Sequence, residues 1–446
     1  YKQFQKIEWF FHNQRKIIMR LENLFIKRTK ELPADATTLG HKLALKGGYI
    51  HQTGAGIYTY SPLGFKVFQN IKKIIREELD AVGCQEMNMP VVSPLSLWKE
   101  TGRENIDVLL KFKTRAGIEA VVNPTHEEIV TDYVRSILQS YKQLPASPNS
   151  LCLYQIQTKY RDELRARAGL IRCREFMMKD AYSFHTSWND LKEFYDIMLK
   201  TYHKIYKRLG MKNVIDILAP TGDMGGKISH EFQMISDIGE DTIYVCENCD
   251  YRANKEVLTD KDAEDVLVCP NCGKKLQKLR GVEVGNIFQL GDKYTKSMNA
   301  IYTDAEGKKQ IPVMGCYGIG VSRVFGCLLE ECGSDVKASF NMEVAPYKVH
   351  IISIGEGEAK ELAEKLYTEL TSAGIEVIID TTDDRAGSKF ANADLIGAPI
   401  RAIISPKNLE HGVFEMKYSG LKEEYPETIP VNKVFEKIQH IVKDEL

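Results

Sequence analysis

The chain has 446 residues, 43% of them hydrophobic and 27% charged, the composition of an ordinary globular protein with room for two or three cores. Its 60 Lys+Arg stand against 61 Asp+Glu, a formal charge of -1, so no molecule-wide field draws in a polyanion and a nucleic-acid partner must be met by local patches. No apolar run approaches the roughly 20 residues of a membrane span, and ten cysteines without a secretory signal imply free thiols in the reducing cytosol; the expectation is a cytoplasmic protein with no membrane partner.

Residues 1–18, YKQFQKIEWFFHNQRKII, precede Met19 and are read as sequence upstream of the true start, an extension of unknown role that is left out of the fold argument. From Leu63 to Val82 the apolar residues Val67, Phe68, Ile71, Ile74, Ile75 and Leu79 recur at helical spacing and Gly83 follows as a stop. CQEMNMPVV then alternates like a strand until Pro90. Further on, 151-LCLYQIQTKYRDE and 174-REFMMKDAYSFH alternate as two half-buried strands, with 164-LRARAGLIRC between them as a long hairpin loop. Helical spacing returns from Asp190 to Leu209, and the 246–285 stretch is polar and cysteine-bearing. IPVMGCYGIGVSRVFGCLLEE, from 311, is a strand with three glycines that opens into a helix. After Ala345-Pro346 strands and helices alternate, which predicts a separate small α/β domain. The expected division is 19–342 and 343–446, with 246–285 as a zinc-ribbon-like insertion.

The cysteines carry chemistry by spacing alone. Cys246-x2-Cys249 and Cys269-x2-Cys272 flank a spacer running from 250 to 268, the pattern of a four-thiolate tetrahedral zinc site; with no open position, that zinc is structural. Three sharper motifs fail. TGDMGGKIS has Thr221 where a P-loop needs its first glycine and Ile228 where it needs Ser or Thr. His126-Glu127 opens like a zinc-protease helix, but Val130 takes the place of the second histidine. Gly355 and Gly357 lack the third glycine of a dinucleotide fingerprint.

A triphosphate handled without a P-loop needs charged donors on rigid strands, and guanidinium grips phosphate with two parallel bonds. Arg161, leaving one strand, and Arg323, opening a helix, are two such donors; Phe176 on the return strand offers a face for a base, and Gly315, Gly318 and Gly320 let backbone come close to a ligand. Singly, each is more often a solvated arginine, a core phenylalanine or a turn. In combination, the long helix with Pro90, the Arg161-Asp162-Glu163 hairpin and Gly320-Val321-Ser322-Arg323 stand in the order of the three motifs of class II aminoacyl-tRNA synthetases. With PTHEE, SHEF, GVEVGNIFQLGDKYT and MGCYGIGVSR, the chain from 19 to 446 resembles the bacterial-type prolyl-tRNA synthetases.

That resemblance implies an α+β catalytic domain on an antiparallel sheet and a C-terminal anticodon-binding domain. It implies activation of proline by ATP, with Mg2+, and transfer of the prolyl group to the 3′ end of tRNA(Pro). Arg161 would hold both proline carboxylate and α-phosphate, stabilising the charge at phosphorus; Glu163 and Arg172 would help hold ATP, Phe176 would stack under adenine, and Arg323 would take the γ-phosphate. Thr125 and Glu127 match the Thr-x-Glu loop that recognises proline, with Asp180 and His230 as weaker members of that pocket. Arg165 and Arg167 would approach the tRNA acceptor end, and Asp384, Arg385, Lys389 and Asp394 are candidates to read the anticodon. A homodimer is implied as well.

The chain departs from the family pattern in three ways. The spacer between Cys249 and Cys269 is too short for the editing domain that many bacterial members carry, so no hydrolysis of alanyl-tRNA in cis is expected and a separate deacylase would be needed. Ala166 and Ala168 stand where proline and an aromatic are commoner, and Cys173 where glycine is usual. Residues 1–18 have no counterpart. The alternatives are a catalytically silent synthetase-like protein, disfavoured because both arginines and the tail are kept, a zinc-ribbon nucleic-acid module, disfavoured because the ribbon is so small a part of the chain, and a threonine enzyme, disfavoured by Thr125-x-Glu127.

Overall fold

The computed structural model describes residues 19–29, 31–258, 267–420 and 423–445; the reading of residues 1–18 lies outside them. Among the described residues no helix is long and apolar enough to cross a membrane.

A short helix (Leu39–Lys46) leads into a hairpin, β1 (Ile50–Gly54) and β2 (Ile57–Tyr60), and then helix α1 (Pro62–Asp80). Ser61 caps α1 by accepting from the Gly64 amide, Pro62 fills its first turn, and Leu63, Val67, Phe68, Ile71, Ile74, Ile75 and Leu79 form its buried stripe. Each such residue, fully withdrawn from water, is worth about 1.5–3 kcal/mol, so the stripe fixes the helix against its neighbours. Next come β3 (Gln85–Glu86), a small sheet of β4 (Val92–Pro94), β5 (Leu110–Lys113) and β6 (Glu119–Val122), and helix α2 (Glu127–Ile137).

The main sheet is built from β7 (Leu151–Tyr160), β8 (Glu175–His185), β9 (Val214–Ala219), β10 (Ile228–Ile235), β11 (Asp241–Cys246), β12 (Arg252–Asn254) and β13 (Leu276–Gly291), then, after a two-strand ribbon of β14 (Tyr302–Thr303) and β15 (Lys309–Gln310), β16 (Val313–Gly320). Its nine strands run β10-β9-β12-β11-β13-β16-β8-β7-β3, antiparallel except where β12 meets β9 and β3 meets β7. Helices α3 (Trp188–Leu209) and α4 (Val321–Cys332) join α1 over one face, where Phe194, Tyr202, Ile205, Val324 and Phe325 enter the largest core. The other face is left open as a cleft.

One reading of this region needs correcting. The cysteine-bearing stretch is not a separate insertion through 285, because β13 runs unbroken from Leu276 to Gly291 and its second half pairs with β16 in the middle of the sheet. Only the knuckles around the four cysteines, packed with Tyr244 and Leu276 into a small core of their own, project as a ribbon.

The C-terminal domain has β17 (Val349–Ser353) parallel to both β18 (Val377–Asp380) and β19 (Ile400–Ile404), extended by the antiparallel pair β20 (Val413–Gly420) and β21 (Glu423–Pro430). Helices α5 (Glu358–Ser372) and α7 (Val434–Asp444) cover one face around Ile351, Leu366, Ile379 and Ile438. The other face carries α6 (Ala386–Ile396) and joins the core of the main sheet through Ile378, Ile396 and Ala398. The Tyr49 hydroxyl donates to the Leu395 carbonyl at 2.7 Å across that seam. Arg20 crosses it too, gripping Glu364 with two bonds of 2.6 and 2.7 Å.

Candidate active site

The open face of the sheet bounds a cleft of about 760 Å3. Arg161 leaves β7, Phe176 and Asp180 lie on β8, Glu283 and Asn286 on β13, and Gly318 and Gly320 end β16, directly before Arg323 on α4. Sheet register brings them together: Gly318 pairs with Asp180 on one side and Asn286 on the other. A Cβ built on Gly318 meets nothing closer than 3.8 Å, so any side chain there would stand in ligand space.

The two arginines are held differently. Arg323 donates to the Ile171 carbonyl at 2.8 Å, to the Glu283 carbonyl at 2.6 Å and to the Glu283 carboxylate at 3.1 Å. Burial opposes its charge, but Glu283 outweighs burial and holds it above the ordinary range. Arg161 has its guanidinium 5.3 Å from the Phe176 ring centroid and, among the described residues, no acceptor or carboxylate bonded to that guanidinium. Burial and the charge of Arg323 both push it below the ordinary range. A cation so placed is completed by an anion from outside.

The end of the cleft at α2 is built on a buried polar network. Thr125 donates to Glu127 at 2.6 Å, and the Cys316 thiol donates to the other oxygen at 3.2 Å. Arg103 stands 3.6 Å from Glu127 and bonds Glu128 at 2.9 Å, with its guanidinium over Trp98 and Tyr294. Beneath them Asp180 accepts on one oxygen from Lys159 at 2.9 Å, Tyr182 at 2.8 Å and Gln155 at 3.1 Å. Its other oxygen is buried without a partner. Although burial pushes Asp180 up, Lys159 and His126 bring it below the usual carboxylate range. Burial and Lys159 in turn press His126 down to about 4, and its Nε2 meets the Pro90 carbonyl at 2.8 Å. Pro90, the landmark after the long helix, thus anchors the loop that presents Thr125 and Glu127.

The hairpin tip between β7 and β8 forms the rim. Arg172 bonds Glu163 at 2.9 Å and Glu240 at 3.2 Å, while Arg167 ion-pairs with the same Glu240. Arg165 is exposed. Gly56, in the β1–β2 turn, has a φ of 71° and a Cβ there would meet Ala166 at 2.5 Å, so the turn is pressed against the tip where only small residues fit.

Thr125, Glu127, Arg161, Glu163, Arg172, Phe176, Asp180 and Arg323 therefore all line one cleft. His230 does not: its Nδ1 lies 2.7 Å from the Tyr195 hydroxyl of α3, on the helix-covered side. In the C-terminal domain Asp384 and Arg385 are exposed. Lys389, one of the four anticodon candidates, is buried, donating to the Ser353 carbonyl at 2.6 Å and standing 3.6 Å from Asp380. Asp394 pairs with Arg401 at 2.6 Å. Arg103 and Glu283 went unread: a lone arginine in the loop TGREN has no pattern around it, and Glu283 sat within a quoted motif without a role of its own.

The Sγ atoms of Cys246, Cys249, Cys269 and Cys272 lie within 4.8 Å of one another, with Cys246–Cys272 and Cys249–Cys269 each at 3.5 Å. Tight turns present them, the Cys246 amide donating to the Tyr251 carbonyl and the Gly273 amide to the Cys269 carbonyl. This cluster has the chemistry to hold a metal ion.

The class II tRNA synthetase core-domain family (G, H, P, S and T) matches residues 110–332, and the anticodon-binding-domain family matches 348–441. The proline–tRNA ligase of Ehrlichia ruminantium is 40% identical over 419 residues, covering 91% of this chain and 96% of the relative. That of Sulfurimonas denitrificans is 39% identical over 445 residues, covering 95% and 100%. For that of Moorella thermoacetica the identity is 33% over 577 residues, covering 96% and 99%. Among solved structures, a prolyl-tRNA synthetase from Cryptosporidium parvum complexed with L-proline and AMP superposes with a TM-score of 0.71 at 18% identity, over 92% of this chain and 76% of that one.

Proposed function

The chain belongs to the proline–tRNA ligases of the class II aminoacyl-tRNA synthetases, and from that premise we propose how its own residues activate proline and pass it to tRNA(Pro). The observation that carries the reading is Arg161, a guanidinium unpaired in the cleft and facing the same space as Arg323. A carboxylate oxygen of proline attacks the α-phosphorus of ATP, that oxygen–phosphorus bond forms, and pyrophosphate leaves. Arg161 bridges carboxylate and α-phosphate, so it offsets charge on the phosphoryl oxygens as it develops. Arg323, steadied by Glu283, takes the γ-phosphate and helps align the leaving group; Phe176 supports the adenine, and Arg172 with Glu163 borders it. Positioning and electrostatics suffice, and no side chain acts as a nucleophile. A terminal ribose hydroxyl of the tRNA then attacks the adenylate carbonyl and AMP departs.

Glu127, with Thr125 and Cys316 fixing its oxygens and Arg103 holding its charge, receives the secondary ammonium of proline. Asp180, with one oxygen free beneath the same space, adds a second acceptor. His230 is bonded to Tyr195 and does not line the cleft. Arg165 and Arg167 meet the acceptor end, and Asp384 and Arg385 the anticodon.

Magnesium would come with ATP. Glu283, a carboxylate lining the cleft, is a hard oxygen donor that would help hold the ion, which would neutralise phosphate charge. The four thiolates would hold zinc: a Zn–S bond of about 2.3 Å sets sulfurs about 3.8 Å apart in a tetrahedron, close to the spacing found. That site is structural.

Cis-editing is not expected. The alignment with the Moorella relative is longer than this whole chain, so that protein carries a segment of domain size with no counterpart here, and a separate deacylase would clear alanyl-tRNA. Val92 on β4, Phe112 on β5, Ile118 in the β5–β6 turn, and Tyr133 and Ile137 on α2 are exposed apolar side chains that a second subunit would cover.

Pyrophosphate exchange into ATP by the purified chain tests the reading. Exchange driven by proline, and not by threonine, serine, histidine or glycine, is expected; exchange without proline, or none, overturns it.

A further inference from the structure

Glu240 closes the turn Ser236–Glu240 between β10 and β11. The turn is fixed to the sheet: Arg280 donates to the Gly239 carbonyl at 2.9 Å, and a Cβ on Gly239 would fall 2.2 Å from the Gly281 carbonyl oxygen. From this rigid base the Glu240 carboxylate reaches two arginines of the hairpin tip, taking Arg172 Nη1 on one oxygen at 3.2 Å and Arg167 Nε on the other. Arg172 borders the cleft while Arg167 lies beyond it on the rim. The tip itself is not a relaxed loop. Ala168 has a φ of 56°, a left-handed conformation that is strained for a non-glycine residue.

All three side chains are 39–54% exposed. Ion pairs so open contribute little to overall stability, so this triad is poorly explained as a fold-stabilising device. It is better explained by competition. A phosphate binds guanidinium by the same two-pronged geometry as a carboxylate, so a phosphate that grips Arg167 along its Nε edge competes with Glu240 for that edge. We infer that Glu240 is a positioning residue: it holds the tip in register for ATP and surrenders Arg167 to a phosphate of the tRNA acceptor end. The inference rests on the functional reading above, and it couples the two half-reactions through one carboxylate.

Glu240→Gln and Glu240→Asp in the full chain test it, by proline-dependent exchange against ATP concentration and aminoacylation against tRNA concentration. The expected result for Glu240→Gln is opposite movement: KM for ATP rises and KM for tRNA falls, each roughly two- to five-fold, with the melting temperature unchanged. Glu240→Asp, keeping the charge, stays nearer the parent on both. Unmoved KM values, both KM values rising together, or an aspartate variant indistinguishable from glutamine overturns the inference. Failure of the parent enzyme to exchange on proline would instead strike the functional reading, so the two failures are separable.

Discussion

Arg161 in the cleft lies over Phe176 with no acceptor among the described residues, whereas Lys389 in the C-terminal domain is buried with its ammonium spent on the Ser353 carbonyl and Asp380. Both cations stand in motifs that resemble ligand-binding signatures. One is kept open by its surroundings and the other is consumed by them. The difference follows from which surface each element presents. Arg161 leaves a strand onto the uncovered face of a sheet, while Lys389 projects from α6 into the layer between that helix and β17. A charge left unpaired at a cleft is held for a ligand; a charge paired in a layer holds the fold.

If that contrast is right, Arg161→Ala should lower kcat for proline-dependent exchange by about a thousand-fold, with a melting temperature equal to or above the parent's. Burial and Arg323 already oppose its charge, so removing it relieves repulsion. Arg161→Lys should recover little, because an ammonium cannot bridge two anions with a planar fork. A variant that turned over normally, or that unfolded, would erase the contrast. Lys389→Ala should behave in the opposite sense, costing about 3–5 kcal/mol of stability because Asp380 is left buried and uncompensated. Lys389→Met should fold better than Lys389→Ala, and the folded variant should charge tRNA with an unchanged KM. Urea unfolding of the two variants checks the first claim and aminoacylation kinetics the second.

A smaller effect sharpens the contrast from the side of pH. His350 is buried on β17 with both ring nitrogens unpartnered, and burial together with Arg401 holds it down to about 3. A histidine that stays neutral in the folded chain while the unfolded chain takes up a proton near 6.5 supports the fold fully above that pH. The support fades as pH falls from about 6.5 toward 3. At pH 4 the loss relative to pH 7 should be about 3 kcal/mol. His350→Leu should be near neutral at pH 7 and should flatten the acid slope. Denaturant midpoints at the two pH values measure it, and an unchanged slope would show that His350 does not carry the acid sensitivity.

How much of this was legible depends on periodicity. The stripe of α1, the alternation of β7 and β8 and the glycine-opened α4 carry strong periods, which put Arg161 at the end of a strand and Arg323 at the start of a helix; that both serve one site was implied only by the resemblance to the synthetases. The four cysteines were legible by spacing alone. The run of β13 through residues 276–285 was hidden because a polar, cysteine-bearing composition says nothing about where a strand rejoins a sheet. Whether Lys389 faces RNA or the core was not legible for a related reason: the α6 sequence AGSKFANADLI mixes small, polar and apolar residues with no clear stripe, so nothing local marks its buried side. Arg103 is fixed by Glu128, Trp98 and Tyr294, contacts that exist only after folding.

The smallest effect concerns Asp384 and Arg385, the members of the anticodon candidates that remain exposed. Arg385 precedes α6 with an extended backbone and, among the described residues, no ion partner, so it resembles Arg161 more than it resembles Lys389. Arg385→Ala should raise KM for tRNA about five-fold or more and leave proline-dependent exchange untouched, since the exchange reaction needs no RNA. Salt dependence then identifies the contact. If Arg385 meets a phosphate of a single-stranded loop, the slope of log affinity against log salt should shrink by about 0.7 in the variant; if it meets a base edge, affinity falls while the slope holds and discrimination between anticodon sequences weakens. Should Arg385→Ala leave tRNA charging unchanged while Lys389→Met impairs it, openness to solvent would be the wrong guide to RNA contact in this domain.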